Sequence, residues 1–257
     1  MAVWVRFADG DEEGFGTLSG ETIAVHTGDM FDAPKPTGAE KSLGAVHLLM
    51  PCSPSKMICL WNNFHALAAK LGVAEPAEPL YLLKAPSSFM GTGEAIRRPL
   101  SYNGKIVYEG ELGIVIGKRC SNASEAEAAS AIFGYTCIND VTAADIISKD
   151  PTFAQLARAK SFDTFGIFGP AIATGLDPAH LTVRTVLNGA ERQNYPISDM
   201  IFPAATLISA LSRDMTLLPG EVVACGTSVG VGAMKDASNT VEVTIEGIGT
   251  LTNTLAQ

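Results

Sequence analysis

The segment KIVYEGELGIVIG, residues 105–117, combines the pattern of a β-strand with two acidic residues. In an extended strand alternate side chains share one face, so Glu109 and Glu111 project from the same side. Both faces are otherwise largely apolar, which predicts a central strand. Two carboxylates on a buried face repel each other and lose their hydration, and a divalent cation bound between them would remove both costs.

The alternative interpretation is a strand at the edge of a sheet, with both glutamates in water. A third acid favours the metal site, because Asp140 in GYTCINDVTAADI, residues 134–146, ends an apolar strand just before a turn. Three carboxylates without a nearby cluster of cysteine and histidine are typical of a site for a hard cation, Mg²⁺ or Mn²⁺.

The rest of the chain predicts an α+β protein with antiparallel or mixed sheets, because strands and helices do not alternate regularly. Residues 1–50 contain short strand-like runs separated by turn residues, which predicts a small N-terminal β domain. Pro34 and Pro36 are assigned to a loop. The boundary is placed in the proline-containing link MPCSPSK, so that residues 55–257 form the second domain.

Two helices and one hairpin stand out in the second domain. Apolar residues at helical spacing predict a helix over residues 202–215. The segment SEAEAASAIFG predicts another, with Ser124 as its N-cap and Gly134 as its stop. Asn188-Gly189 predicts a tight hairpin turn between two strands.

Composition narrows the classes of partner and location. The net charge of -9 argues against a broad nucleic-acid surface, and no apolar stretch has the length of a membrane helix. Five cysteines without a C-x-x-C pair and without a secretory signal predict reduced thiols and a cytoplasmic protein.

Five segments, in their order and spacing from about Met57 onward, resemble the fumarylacetoacetate hydrolase family. They are YEGELGIVIGKRC, GYTCINDVTAADI, RAKSFDTFGIFGP, LNGAERQ and GTSVGVG. The resemblance implies a β-rich, mixed-sheet roll of that family's C-terminal domain type. It also implies Mg²⁺ or Mn²⁺ at the mouth of the roll, a homodimer, and activity on small 2-oxo or β-diketo acids.

The resemblance also implies roles for individual residues. Lys160 matches an active-site lysine that would stabilise an enolate or a carboxylate, and Thr227 matches a threonine that meets the substrate carboxylate. Gly226, beside it, would allow close approach of the backbone to an anion. Lys84, in LYLLKAPSSF, matches a lysine near the substrate pocket. The implied metal ligands are Glu109, Glu111 and Asp140.

The segment WNNFHALAAKLG resembles the family's short lid helix, whose histidine and acidic partner activate water. His65 is the implied catalytic histidine, displaced here by one position. Ala68 and Ala69 follow one turn later in place of the acid. Ala144 and Ile147 likewise stand where relatives often have arginine and glutamine. Without this polar pair, the resemblance leaves the identity of the substrate open.

The leading functional interpretation is a metal-dependent hydrolase that cleaves a carbon–carbon bond of an acylpyruvate-like acid through an enolate. Three alternatives stay open. An isomerase or tautomerase, such as a 5-carboxymethyl-2-hydroxymuconate isomerase, would use the same enolate without water. A decarboxylase is the second alternative, and a metal-stabilised binding protein without catalysis is the third. Glu75 and Glu78, downstream of the lid helix, are the candidate acids for His65.

Overall fold

The structure is a computed structural model that describes residues 1–256. Strands dominate it, and the helices are short. The strands are β1 (Ala2–Asp9), β2 (Glu12–Ser19), β3 (Thr22–Asp29), β4 (Asp32–Ser42), β5 (His47–Leu48), β6 (Met57–Trp61), β7 (Leu80–Lys84), β8 (Phe89–Met90), β9 (Ala95–Ile96), β10 (Ile106–Tyr108), β11 (Gly110–Ile116), β12 (Ile132–Asp140), β13 (Thr142–Ala143), β14 (Gly166–Thr174), β15 (Thr182–Leu187), β16 (Ala190–Pro196), β17 (Val222–Ala224), β18 (Gly232–Ala233), β19 (Ser238–Ile245) and β20 (Gly249–Ala256). The helices are α1 (His65–Leu71), α2 (Glu125–Ala131), α3 (Ala144–Ile147), α4 (Leu156–Lys160) and α5 (Ala204–Asp214).

Three sheets organise these strands. The largest runs β4-β3-β2-β1-β14-β12-β11-β17-β6-β7, with β5 on β1 and β8 on β14. The others run β16-β15-β19-β20-β9 and β13-β10-β18. Most pairs are antiparallel, while β17 with β6, β14 with β8 and β20 with β9 are parallel. The predicted α+β fold with mixed, predominantly antiparallel sheets is confirmed.

The acidic segment lies at the centre of the largest sheet. Every residue of β11 is buried, and the strand pairs with β12 on one side and β17 on the other. The predicted central strand is therefore confirmed. The segment is not one continuous strand, however, because it is interrupted at Glu109, and β10 belongs to another sheet. The Glu109 carbonyl accepts a 2.9 Å hydrogen bond from the backbone of Asp140, and Asn139 Oδ1 accepts one of 3.2 Å from Glu109 N.

The N-terminal strands form an antiparallel meander that extends the largest sheet, because β1 pairs with β14. The division into residues 1–50 and 55–257 stays a prediction about domains. The loop assigned to Pro34 and Pro36 is wrong, since both lie in β4. That strand is the edge strand of its sheet. A proline, which has no N–H, therefore loses no inter-strand hydrogen bond on the unpaired side.

The predicted helix near residues 202–215 is α5. Ser124 is the N-cap of α2, and it forms a capping box with Glu127. This helix ends before the predicted Gly134, because Ile132 already begins β12. Asn188-Gly189 forms the predicted turn, joining β15 to β16 with positive φ at both residues. Among the described residues, no helix combines the length and apolar character needed to cross a membrane.

Candidate functional site

Three carboxylates meet where β10, β11 and β12 converge. Glu109 lies at the break between β10 and β11, Glu111 lies within β11, and Asp140 ends β12. One oxygen from each lies within 4.8 Å of the others. Glu111 and Asp140 are buried, whereas Glu109 is partly exposed. The structure thus brings together the three acids that were predicted to bind a metal.

Lys160, the last residue of α4, donates three hydrogen bonds into this cluster. Its Nζ lies 2.9 Å from Glu109 Oε2, 2.6 Å from Asp140 Oδ2 and 2.8 Å from Thr142 Oγ1. Burial lowers the pKa of the Lys160 ammonium, but the surrounding carboxylates outweigh burial and raise it. The side chain is therefore a fixed positive charge at the cluster.

Lys84, the last residue of β7, has a fully buried side chain and contacts the other oxygen of Asp140. Its ammonium also donates to the Phe165 carbonyl at 2.7 Å and to the Val141 carbonyl at 3.4 Å. Burial opposes ionisation of Asp140, yet Lys160 and Lys84 outweigh it and lower the pKa of the carboxyl. The hydrogen-bond donors of Lys84 are directed at protein atoms. Its contact with a substrate therefore stays a prediction.

Glu111 is the least favourably placed acid of the cluster. Burial raises the pKa of its carboxyl well above the ordinary value, and the charges of Asp140 and Glu109 raise it further. Its one backbone donor is Gly226 N, at 2.9 Å. A divalent cation would replace the proton that this carboxyl favours. The site therefore fits a hard cation both in its oxygen-only donors and in its excess of carboxylates.

The loop after β17 borders the cluster. Thr227 Oγ1 donates to the Gly110 carbonyl at 3.0 Å, and Gln193 Nε2 donates to Thr227 Oγ1 at 2.8 Å. Gly226 has φ +87°, and a Cβ there would lie 3.3 Å from the Leu60 carbonyl. Close approach of two backbones therefore requires glycine at this position.

Two polar residues at the site received no role from the sequence. Gln193 binds the Gly110 N–H at 3.0 Å as well as Thr227, and Thr142 donates to Glu109 Oε1 at 2.8 Å. Each carried a weak signal, because Gln193 lies in the LNGAERQ segment and Thr142 comes two residues after Asp140. Polar residues in such positions are common, so the sequence alone does not identify either of these two as a site residue.

A small cleft opens onto Glu109, Lys160 and Thr227. Its remaining lining residues are largely apolar: Leu60, Trp61, Asn62, Leu67, Leu82 and Leu156. Helix α1 contributes Leu67 to this cleft, whereas His65 is not among the lining residues in the described part of the chain. The lining of the cleft therefore combines two charged side chains with largely apolar ones.

His65 begins α1 and has half of its side chain exposed. Its Nδ1 lies 2.6 Å from Glu75 Oε1, and the Glu75 side chain is also half exposed. An acid therefore does accompany the histidine, and it is one of the two glutamates proposed from the sequence. A role for this pair in catalysis stays a prediction.

Comparison with known proteins identifies the family. The model described as fumarylacetoacetate (FAA) hydrolase C-terminal matches residues 56–256, and one described as Rv2993c-like, N-terminal matches residues 4–51. This chain belongs to the fumarylacetoacetate hydrolase family. The family resemblance of the five segments and the β-rich fold that it implied are both confirmed.

Similar members of the fumarylacetoacetate hydrolase family include protein Rv2993c of Mycobacterium tuberculosis, 40% identical over 96% of this chain and 96% of that protein. Oxaloacetate tautomerase YisK of Bacillus subtilis is 36% identical over 82% of this chain and 74% of the relative. Among solved structures, 2-hydroxyhepta-2,4-diene-1,7-dioate isomerase from Mycobacterium marinum matches with a TM-score of 0.90. It is 38% identical, and the match covers 100% of this chain and 98% of that chain. Membership supports an enzyme, and the last two names describe isomerisation rather than hydrolysis.

Proposed function

We propose that this chain is a metal-dependent isomerase that converts a small 2-oxo acid into its enol, or moves a double bond through the enolate. Glu109, Glu111 and Asp140 would hold Mg²⁺ or Mn²⁺. When bound, the cation supplies a Lewis acid for the oxygens of the 2-oxo acid.

The observation that carries this proposal is the composition of the cleft. It presents the ammonium of Lys160 and the hydroxyl of Thr227, whereas the His65 side chain is half exposed and its Nδ1 contacts Glu75. Both reactions need a base, but hydrolysis must activate water beside the substrate, whereas isomerisation only moves the C3 proton. The partly exposed Glu109 carboxylate in the lining would accept that proton and return it. Apolar walls, which strengthen electrostatic interactions by excluding water, also favour the reaction without water.

The fixed charge of Lys160 suits an enolate. An interaction contributes to catalysis when it is stronger in the transition state than in the ground state. Lys160 is held by Glu109, Asp140 and Thr142, so little reorganisation is needed to face negative charge that develops on a substrate oxygen. Gln193 positions Thr227 through the 2.8 Å hydrogen bond and so fixes the loop that faces the substrate.

The related proteins give independent support. The names of the Bacillus subtilis and Mycobacterium marinum relatives specify a tautomerase and an isomerase. The expected cytoplasmic homodimer stays a prediction, and light scattering of the purified chain tests its oligomeric part.

Hydrolysis remains a second candidate because of one observation, the 2.6 Å contact between His65 and Glu75. A carboxylate on one ring nitrogen orients a histidine for general-base catalysis. If α1 moved toward the cleft, this pair would have the chemistry that water activation needs.

Exchange of the C3 protons of a 2-oxo acid in D₂O, followed by NMR with and without Mn²⁺, tests the proposal. We expect metal-dependent exchange in the wild type and a loss of about 10²–10³-fold in Lys160→Met. His65→Ala should stay within roughly threefold of wild type. Lys70→Met, on the exposed face of α1, is the control for loss of a lysine.

Cleavage of an acylpyruvate, measured in the same samples, separates the two candidates. Metal-dependent cleavage that disappears in His65→Ala would favour the hydrolase and overturn the proposal. Absence of exchange with every acid tested would also overturn it. Melting temperatures of the variants show whether a loss of exchange reflects unfolding.

A further inference from the structure

A single peptide group joins the acidic cluster to the segment that precedes helix α1. This peptide, between Cys225 and Gly226, donates its N–H to Glu111 Oε2 at 2.9 Å. Its carbonyl accepts a hydrogen bond of 2.9 Å from the side-chain nitrogen of Asn63, two residues before α1 begins. The buried amide of Asn63 is therefore separated from the Glu111 carboxylate by one peptide group.

The backbone alone does not fix the orientation of this peptide. A planar peptide turns with ψ of the residue before it and φ of the residue after it, and the residue after it is Gly226. Glycine reaches both signs of φ at little cost, and Gly226 has φ +87°. The orientation that directs the N–H at Glu111 is therefore selected by the hydrogen bonds on the two sides of the peptide.

Asn63 is itself held in one orientation. Its Oδ1 accepts a hydrogen bond of 2.9 Å from Phe202 N, and its backbone carbonyl accepts one of 2.9 Å from Ile201 N. A reversed side-chain amide would set oxygen against the Cys225 carbonyl and nitrogen against the Phe202 N–H. Both partners therefore direct the Asn63 nitrogen at the Cys225 carbonyl.

The two hydrogen bonds of the peptide strengthen each other. A donor at the carbonyl oxygen polarises the peptide and makes its N–H a stronger donor, and this effect is larger in a buried, low-dielectric setting. The Gly226 N–H is the one backbone donor to Glu111, so the orientation of this carboxylate depends on it. Outer-sphere partners that orient metal ligands typically contribute about 10–100-fold to metal affinity.

We propose that Asn63 is a positioning residue for the metal site. It orients the peptide between Cys225 and Gly226, and through the Gly226 N–H it sets the orientation of Glu111. This inference rests on the metal site of the proposed function, and it gives the segment before α1 a part in metal binding.

Calorimetry of Mn²⁺ binding to Asn63→Ala tests the inference. We expect an affinity about tenfold lower than that of the wild type, measured well below the melting transition of either protein. Asn239→Ala is the matched control, because the buried Asn239 also accepts from a backbone N–H, at 3.2 Å, and donates to a carbonyl, at 2.8 Å, both of Asp236. This control should lose thermal stability and retain the wild-type affinity for Mn²⁺.

NMR of the wild-type protein provides a measurement that needs no folded variant. Binding of Mg²⁺ withdraws charge from the Glu111 carboxylate, which receives the Gly226 N–H. The side-chain NH₂ resonances of Asn63 should therefore shift together with the Gly226 amide along one binding curve. Asn62 is the control for proximity, because it lines the cleft but donates to the Ala74 carbonyl, and its NH₂ resonances should shift less.

Wild-type Mn²⁺ affinity in folded Asn63→Ala would overturn the inference, as would Asn63 resonances that do not respond to Mg²⁺. An equal loss of affinity in Asn239→Ala would also overturn it, because the effect would then reflect general destabilisation. A wild-type protein that binds no Mn²⁺ would overturn the metal site together with this inference. Binding without C3 exchange would overturn the isomerase alone and leave the role of Asn63 supported by the affinities.

Discussion

Replacing Lys84 by methionine tests whether the buried ammonium maintains the acidic centre. The variant removes the cation on one oxygen of Asp140 and leaves the Phe165 carbonyl without its 2.7 Å donor. Lys160 would still neutralise the other oxygen. Breaking a buried ion pair on one side costs about 3–5 kcal/mol, because the remaining charge stays buried.

The expected loss is large enough to measure by thermal unfolding. For a chain of this size, one kcal/mol corresponds to about 2–4 °C, so Lys84→Met should lower the melting temperature of the metal-free protein by about 6–20 °C. The exposed pair Lys41–Asp9 provides the control, and Lys41→Met should leave the melting temperature unchanged within error.

Metal ions should partly reverse the effect. A divalent cation neutralises Asp140 in place of Lys84, so saturating Mn²⁺ should raise the melting temperature of Lys84→Met at least as much as that of wild type. An unchanged melting temperature in metal-free Lys84→Met would refute the stabilising role. A large loss without any recovery in Mn²⁺ would instead show that Lys84 is needed to build the metal site.

The remaining predictions concern metal binding, pH and packing. Alanine at any one of Glu109, Glu111 and Asp140 should weaken Mg²⁺ or Mn²⁺ binding severely in calorimetry, and wild-type affinity in all three variants would contradict the site. Because folding raises the pKa of Glu111 above its unfolded value of about 4.3, this group stabilises the folded state fully only below that value. The metal-free protein should therefore lose stability as pH rises through the folded-state pKa of Glu111. The variant Glu111→Gln should not show this loss. Asn63→Ala removes the hydrogen-bond partner of two backbone groups, and each loss should lower the free energy of unfolding by about 1–3 kcal/mol. An unchanged midpoint in chemical unfolding would contradict this.

The sequence predicted the parts of the fold that depend on local patterns. Apolar residues on both faces of 110–116 indicated a central strand, and β11 is buried along its whole length. The Asn188-Gly189 turn and the Ser124 cap depend only on backbone preferences of a few residues, so both were predictable. The break at Glu109 was not, because it depends on hydrogen bonds with Asn139 and Asp140 far along the chain.

The acidic centre was likewise predictable where it depends on local pattern and not where it depends on tertiary packing. The spacing predicted Glu109 and Glu111 on one face of a strand, and their carboxylates do meet, although the strand is interrupted at Glu109. The placement of Lys84 and Lys160 on opposite oxygens of Asp140 depends on how β7 and α4 pack against β12, which no local pattern encodes. Likewise, Pro34 and Pro36 disfavour a strand locally, yet the free edge of the sheet accommodates β4.

Charge balance explains why the acidic centre suits a divalent cation. Three carboxylates and two ammonium groups leave one net negative charge when all are ionised. Burial first, and then the charges of Asp140 and Glu109, raise the pKa of Glu111, so the metal-free site favours a proton on that carboxyl. A divalent cation in place of the proton leaves one net positive charge, which a single substrate carboxylate neutralises. The two lysines on opposite oxygens of Asp140 therefore allow three acids to be buried together while keeping the site suited to a divalent cation.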